Sequence, residues 1–204
     1  VISGFVITQL LVRAMSAGTF RFSEFYARRL RRLVPVFLLV STVSFLMISP
    51  FYLDDDYYLF AKSWLASLLG LSNVYYYGEL SQYFAPEAQA LTLLHTWSLA
   101  VEEQFYLLWP ALLLGAWRLS KGRLVFWPFA LLWVAALALS IWLAATQQEA
   151  AYYLLPARAF ELLLGAGVAL FGARLQGMSH GQAQALAGTG FLLIIAKALL
   201  LDSS

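Results

Sequence analysis

Two adjacent carboxylates, Glu102 and Glu103, stand in the run His95-Thr96-Trp97-Ser98-Leu99-Ala100-Val101-Glu102-Glu103-Gln104-Phe105-Tyr106-Leu107-Leu108-Trp109-Pro110. The run opens an apolar segment that continues to Trp117 and is long enough to cross a bilayer. Charge at membrane depth is costly, so it marks a pathway or a reaction site. On a helix, His95, Ser98, Glu102, Tyr106 and Trp109 fall roughly on one stripe, with Glu103 about 100° away. Glu102 suits a general base or a group that orients a catalytic histidine. The alternative is that it neutralises a structural arginine inside a bundle. His95 reads as part of the site or as a capping or interfacial histidine. Trp97 and Trp109 read as substrate platforms or as interface anchors.

Two further constellations carry charge. In Phe25-Tyr26-Ala27-Arg28-Arg29-Leu30-Arg31-Arg32-Leu33-Val34-Pro35, helical spacing puts Arg28, Arg29 and Arg32 on one face. Such a fork can grip a multiply charged phosphate, or it can simply fix membrane orientation and bind anionic head groups. In Leu155-Pro156-Ala157-Arg158-Ala159-Phe160-Glu161-Leu162-Leu163-Leu164-Gly165, Arg158 and Glu161 are three apart and can pair, and Arg158 could also reach Glu102. A structural charge triad is the alternative. The small residues Gly165, Gly167, Ala169 and Ala173 read as close helix packing. Gly177-Met178-Ser179-His180-Gly181 spells the hydrolase pattern G-x-S-x-G, but that motif needs a strand-to-helix elbow and here falls between apolar helices, so it is read as chance.

The elements that must position these groups follow from composition. The 204 residues are 62% hydrophobic and 12% charged, where a soluble domain has about 25% charged. Lipid is therefore the expected solvent. No cysteine is present, which excludes disulfides and thiolate metal sites, and no metal site is expected. A net charge of +2 is too small to suggest nucleic acid. The fold class is all-α, a polytopic transmembrane helix bundle. Spans are expected at Leu33–Leu53 (entered through Pro35 and closed by Asp54-Asp55-Asp56), Leu93–Trp117, Leu124–Ala145, Pro156–Phe171 and Ala187–Leu201. Val1–Val12 reads as the tail of a span and Arg13–Arg32 as a basic connector. The basic clusters Arg13–Arg32 and Arg118–Arg123 orient the chain with those segments cytoplasmic. That orientation holds only if Tyr57–Tyr77, interrupted by Lys62, is re-entrant or interfacial rather than a span. Val1 is not an initiator Met, and the chain is expected to be part of a longer protein.

Taken together, the constellations resemble the membrane acyltransferase-3 family, the integral-membrane O-acyltransferases of bacterial surface polysaccharides. The resemblance covers nearly the whole chain. It rests on Ser3-Gly4-Phe5-Val6-Ile7-Thr8; on Phe25, Tyr26, Arg28, Arg29, Arg32 and Pro35; on Asn73-Val74-Tyr75-Tyr76; on His95–Pro110; and on Pro156, Arg158, Glu161 and Gly165. It implies residues 1–204 as a partial membrane domain in the multi-pass inner membrane of a bacterium. The implied donor is cytoplasmic acyl-CoA, in this case acetyl-CoA, with no permanently bound cofactor. The implied acceptor is a sugar hydroxyl of a cell-surface polysaccharide or lipopolysaccharide. Arg29 and Arg32, supported by Arg28, would meet the donor phosphates. Glu102 and Glu103 would support catalysis, and His95, Trp97, Ser98, Tyr106, Arg158 and Glu161 would support substrate and structure. The family's general base is a histidine on a helix expected upstream of Val1, preceded by an arginine about three turns earlier. The motif spelling also resembles the branch that carries a C-terminal SGNH-type domain. Two rival readings are a transporter or flippase for a glycan or lipid precursor and a non-catalytic membrane scaffold.

Overall fold

Backbone polar groups in lipid must find partners within the protein, so long apolar runs broken by Gly, Pro and Asp are left with helices. A computed structural model describes residues 1–80, 91–120, 126–172 and 180–201, and among these every regular element is helical. In chain order they are α1 (Ile2–Ser16), α2 (Phe22–Ile48), a 3-10 turn (Ser49–Phe51), α3 (Asp54–Leu68), α4 (Ser72–Leu80), α5 (Thr96–Leu119), α6 (Phe126–Thr146), α7 (Gln148–Tyr153), α8 (Leu155–Phe171) and α9 (His180–Leu201). The chain forms two compact units, Val1–Leu170 and Phe171–Ser204. The second holds α9, which begins seven residues before the expected Ala187 and exposes Phe191 and Leu192. Lys121, Arg123, Ala173 and the Gly177–Ser179 part of the hydrolase-like pattern lie outside the described residues, as does the 81–90 part of the expected polar loop.

Among the described residues, three stretches are long and apolar enough to cross a membrane: Phe22–Phe51, Phe126–Thr146 and Gln148–Phe171. Their apolar side chains stay largely outward, with Leu39 66% and Trp127 77% exposed. Lipid as the solvent removes any penalty for that exposure. The first stretch corrects the expected boundary. The basic connector and the span are one continuous helix of 27 residues with Pro35 in its interior rather than its first turn. Pro35 has no N–H for the Arg31 carbonyl, yet the helix continues across it. The three aspartates also do a different job from closing that span. They open α3, where the Asp56 carboxylate accepts the Leu53 N–H at 2.8 Å and negative charge suits a helix N-terminus.

The expected re-entrant segment is broken in two. Neither α3, with 15 residues, nor α4, with 9, reaches the roughly 20 residues that a span needs. They meet at Gly70, whose φ of +68° a side chain would strain. Lys62 on α3 finds Glu79 on α4 at 3.9 Å and lies 4.3 Å from the Tyr58 ring centre. Helix α5 has the length of a span at 24 residues but is not among the three apolar stretches. Its central polar residues, Glu102, Glu103 and Gln104, turn instead toward neighbouring helices.

The core is a seam of α1, α5 and α8, with Leu11, Phe105, Trp109, Leu162 and Ala166 packed together. A buried polar bond joins α1 to α5, the Trp109 indole donating to Thr8 Oγ1 at 2.8 Å. Glycines let α1 and α8 approach backbone to backbone. A Cβ at Gly4 would fall on the Leu162 carbonyl, and one at Gly165 on the Val1 carbonyl. At this crossing the expected small-residue packing is present, as small side chains permit in membranes. Gly4→Val or Gly165→Leu should therefore lower stability by about 1–3 kcal/mol or more, read as a fall in melting temperature of the detergent-solubilised protein. An unchanged melting temperature in both would show that the helices can part at no cost.

Candidate active site

The 100° offset between Glu102 and Glu103 sends the two carboxylates to different neighbours. Glu102 is held on both oxygens: Ser3 Oγ donates to Oε1 at 2.6 Å and the Tyr106 hydroxyl to Oε2 at 3.0 Å. It ties α1 to α5. Glu103 faces the other way, over the α3–α4 elbow, where a Cβ on Gly70 would come within 3.0 Å of Oε2. Gly70 is thus doubly required, by its positive φ and by the carboxylate above it. The elbow also precedes the N-terminus of α4, whose positive end favours an anion.

Between these carboxylates lies Arg29. Its guanidinium stacks on the Tyr106 ring at 3.2 Å from the centroid, and both Glu102 and Glu103 are within electrostatic reach. Arg29 is half-buried, and its Nε is buried without a hydrogen-bond partner. Stacking satisfies the face of a guanidinium but leaves its edge available for an acceptor. Tyr106 therefore has two roles, donating its hydroxyl to Glu102 and carrying Arg29 on its ring. The adjoining residue on α2, Tyr26, donates to the Leu107 carbonyl at 2.9 Å and pins α2 to α5. One turn later Pro110 lies inside α5 and leaves the Tyr106 carbonyl without its helical donor.

Arg29, Glu103, Gln104 and Tyr106 open onto one groove of about 370 Å³ between α2, the α3–α4 elbow and α5. Its remaining walls are mostly apolar, including Leu33, Phe37 and Leu99. A groove of this kind, with a few convergent polar groups, is the usual form of a ligand site.

The other predicted residues distribute unevenly. Arg28 lies away from the groove, exposed and paired with Glu24 at 3.6 Å, and Arg32 is exposed. The three arginines thus do not act as one fork. His95 and Ser98 are exposed, and the Ser98 hydroxyl donates to the His95 carbonyl at 3.2 Å, so the predicted stripe enters the interior only from Glu102 onward. Trp97 packs on Tyr152 and Tyr153 with centroids 4.7 and 5.4 Å away. Arg158 does not reach Glu102. It pairs with Glu161 at 3.2 Å and lies 5.5 Å from the Trp97 ring centre. Sequence reasoning missed Ser3, Gly70 and Gln104 as parts of the site. Gly70 carried a readable signal, a glycine after an apolar helix with serine two residues on, which is a helix stop followed by a start. Gly70→Ala should cost roughly 1–2 kcal/mol for the left-handed backbone, seen as a lower melting temperature. Wild-type melting would show that the elbow relaxes.

The chain matches the acyltransferase-domain family over residues 1–204. It is 31% identical over 177 residues to an uncharacterized protein of Haemophilus influenzae, covering 84% of this chain and 72% of that relative. It is 31% identical over 176 residues to the putative peptidoglycan O-acetyltransferase YrhL of Bacillus subtilis, covering 83% of this chain and 27% of the relative. It is also 31% identical over 178 residues to the peptidoglycan O-acetyltransferase OatA of Listeria monocytogenes, covering 83% and 28%. The chain thus spans little more than a quarter of those two acetyltransferases. No solved structure matches it. With apolar helices long enough to span a membrane and a family match running from the first residue to the last, this chain belongs to the acyltransferase-3 family of membrane acyltransferase domains.

Proposed function

We propose that the protein is an O-acyltransferase of the inner membrane that moves acetyl from cytoplasmic acetyl-CoA to a sugar hydroxyl of a cell-surface glycan. The observation that carries this reading is the groove holding Arg29, Tyr106 and Glu103 beside a long apolar wall. A thioester donor has an anionic head and a long arm, and both needs are met by a guanidinium edge at one end of an apolar channel. The donor cannot cross lipid, so it must be gripped from the face where the basic residues lie. Arg29 would hold donor oxygens inside the groove. Arg32, supported by Arg28, would meet phosphates at its exposed mouth.

The transfer forms a bond from the sugar oxygen to the acetyl carbon and breaks the carbon–sulfur bond. The acceptor proton leaves through a base, and the departing thiolate receives a proton. In this reading that base is the histidine that the family resemblance leads one to expect. In this chain Glu103 would set the charge beside the reacting groups, and Glu102, held by Ser3 and Tyr106, would fix α1 against α5. His95, Trp97, Ser98, Arg158 and Glu161 stand apart from the groove and are supporting residues in this reading. A C-terminal SGNH-type domain and the acceptor's identity belong to the same proposal.

The broken α3–α4 pair also suits a transporter, where discontinuous helices surround the substrate. Radiolabelled acetyl-CoA added to membranes separates the two. Label in glycan supports transfer, while glycan movement without label supports transport. In that assay Arg29→Ala should lower transfer by about 10²-fold or more and Arg32→Ala should weaken it, with membrane insertion intact. Wild-type transfer in both variants would remove the donor role of the arginines.

A further inference from the structure

At the wall of the groove, two side-chain amides close on each other. Asn73 on α4 is fully buried. Its Nδ2 donates to Gln104 Oε1 at 3.3 Å and to the Tyr153 carbonyl at 3.1 Å, and its Oδ1 accepts from Gln104 Nε2 at 2.7 Å. The second N–H of Gln104 Nε2 goes to the Gly70 carbonyl at 2.9 Å. Both amide groups thus use both of their N–H donors. Four elements meet through this pair: the α3–α4 elbow at Gly70, α4 at Asn73, α5 at Gln104 and α7 at Tyr153.

The pair sits one residue from Glu103 on α5 and three from Gly70 on α4. Glu103 Oε2 lies directly above Gly70. The distance between that carboxylate and the elbow is therefore set by where Gln104 holds the Gly70 carbonyl. An apolar contact at Asn73 and Gln104 would also join the helices, but it would not fix their register, because hydrophobic contact is not directional. Reciprocal amide bonds allow one register, and losing one partner leaves buried polar groups unsatisfied.

We propose that Asn73 and Gln104 are positioning residues for Glu103, their reciprocal amide pair clamping the Gly70 elbow beneath its carboxylate so that the carboxylate faces Arg29 across the groove. The inference rests on the reading of Glu103 as part of the acyl-transfer site. It assigns to the pair no contact with the reacting atoms: Gln104 borders the groove, but its amide is spent on Asn73 and the Gly70 carbonyl. The charged side chain acting on Glu103 is Arg29 from α2; the titratable groups that share its groove are Tyr26 from α2 and Tyr106 from α5, while the elbow presents Gly70 and Ser67.

The test is a double-mutant cycle. Gln104→Met keeps the side-chain length and removes the amide, and Asn73→Leu does the same from the other side. Each should lower kcat for labelled acetyl transfer by about 10²-fold, as a misplaced group does, with the KM for acetyl-CoA little changed. In a Glu103→Gln background the same substitutions should add less than about twofold, because they act through a carboxylate that is no longer there. Losses that multiply fully in that background would overturn the proposal. A second measurement does not depend on activity. The infrared carboxyl band of Glu103, assigned by its loss in Glu103→Gln, should titrate at a different pH in Gln104→Met than in the wild type. An unmoved midpoint in a folded variant would overturn the clamp even if the wild type transfers acetyl. A moved midpoint in a protein that transfers nothing would keep the clamp and remove the acyltransferase reading. Failure of both variants to fold, seen by circular dichroism, would also overturn it and make the pair a folding element.

Discussion

Arg29 lies on the ring of Tyr106 with two carboxylates in reach, in surroundings that are otherwise apolar. A guanidinium there needs opposite charge and a surface to lie on, because a buried charge without a partner is strongly disfavoured. Much of the first unit meets those needs. Glu102 accepts from Tyr106 and so steadies the ring, and Ser3 steadies Glu102 from α1. Tyr26 holds the neighbouring turn of α2 against α5. The α3–α4 elbow brings backbone under Glu103 where a continuous helix would place side chains. The close crossing of α1 and α8 at Gly4 and Gly165 keeps Ser3 within reach of Glu102.

The two adjacent carboxylates show how one helix serves two neighbours. Residues next to each other on a helix point about 100° apart, so Glu102 and Glu103 cannot share a partner face. Glu102 became a fully hydrogen-bonded link between helices, and Glu103 was left facing the groove. The same division separates the arginines. Arg28 and Arg29 are also neighbours, and one pairs at the surface with Glu24 while the other enters the site. On α2 one of the adjacent charges thus turns outward and the other inward, whereas on α5 both carboxylates turn into the protein, toward different neighbours.

Much of the fold was legible in the sequence. The apolar runs and their breaks predicted helices throughout, and Lys62 together with the terminal tyrosines marked Tyr57–Tyr77 as something other than a span. Boundaries at proline and aspartate were harder. Pro35 reads locally as a helix start, yet the helix runs through it, because the neighbouring turns supply enough bonds to tolerate one missing donor. Asp54–Asp56 can end one helix or begin the next, and only the Asp56 bond to Leu53 shows which. At the site, Glu102, Glu103, Tyr106 and Arg29 were all singled out from residue type and spacing. Their partners were not. Ser3 and Glu102 are 99 residues apart, and Gln104 meets Gly70 across 34. Contacts at such separations depend on how helices cross, which periodicity within one helix does not encode. Arg158 shows the opposite case: of the two partners its position allowed, it takes the local one, Glu161 three residues away, as spacing within one helix predicts.

In the proposed reaction the groove between α2, the α3–α4 elbow and α5 receives the acyl donor. Photo-crosslinking of membranes containing the protein with an acetyl-CoA analogue carrying a photoreactive group on its pantetheine arm tests it most directly. Labelled peptides are expected from the Leu30–Phe37 stretch of α2 and the Leu99–Leu107 stretch of α5, with labelling suppressed by excess acetyl-CoA. Labelling confined to other helices, or insensitive to acetyl-CoA, would contradict it.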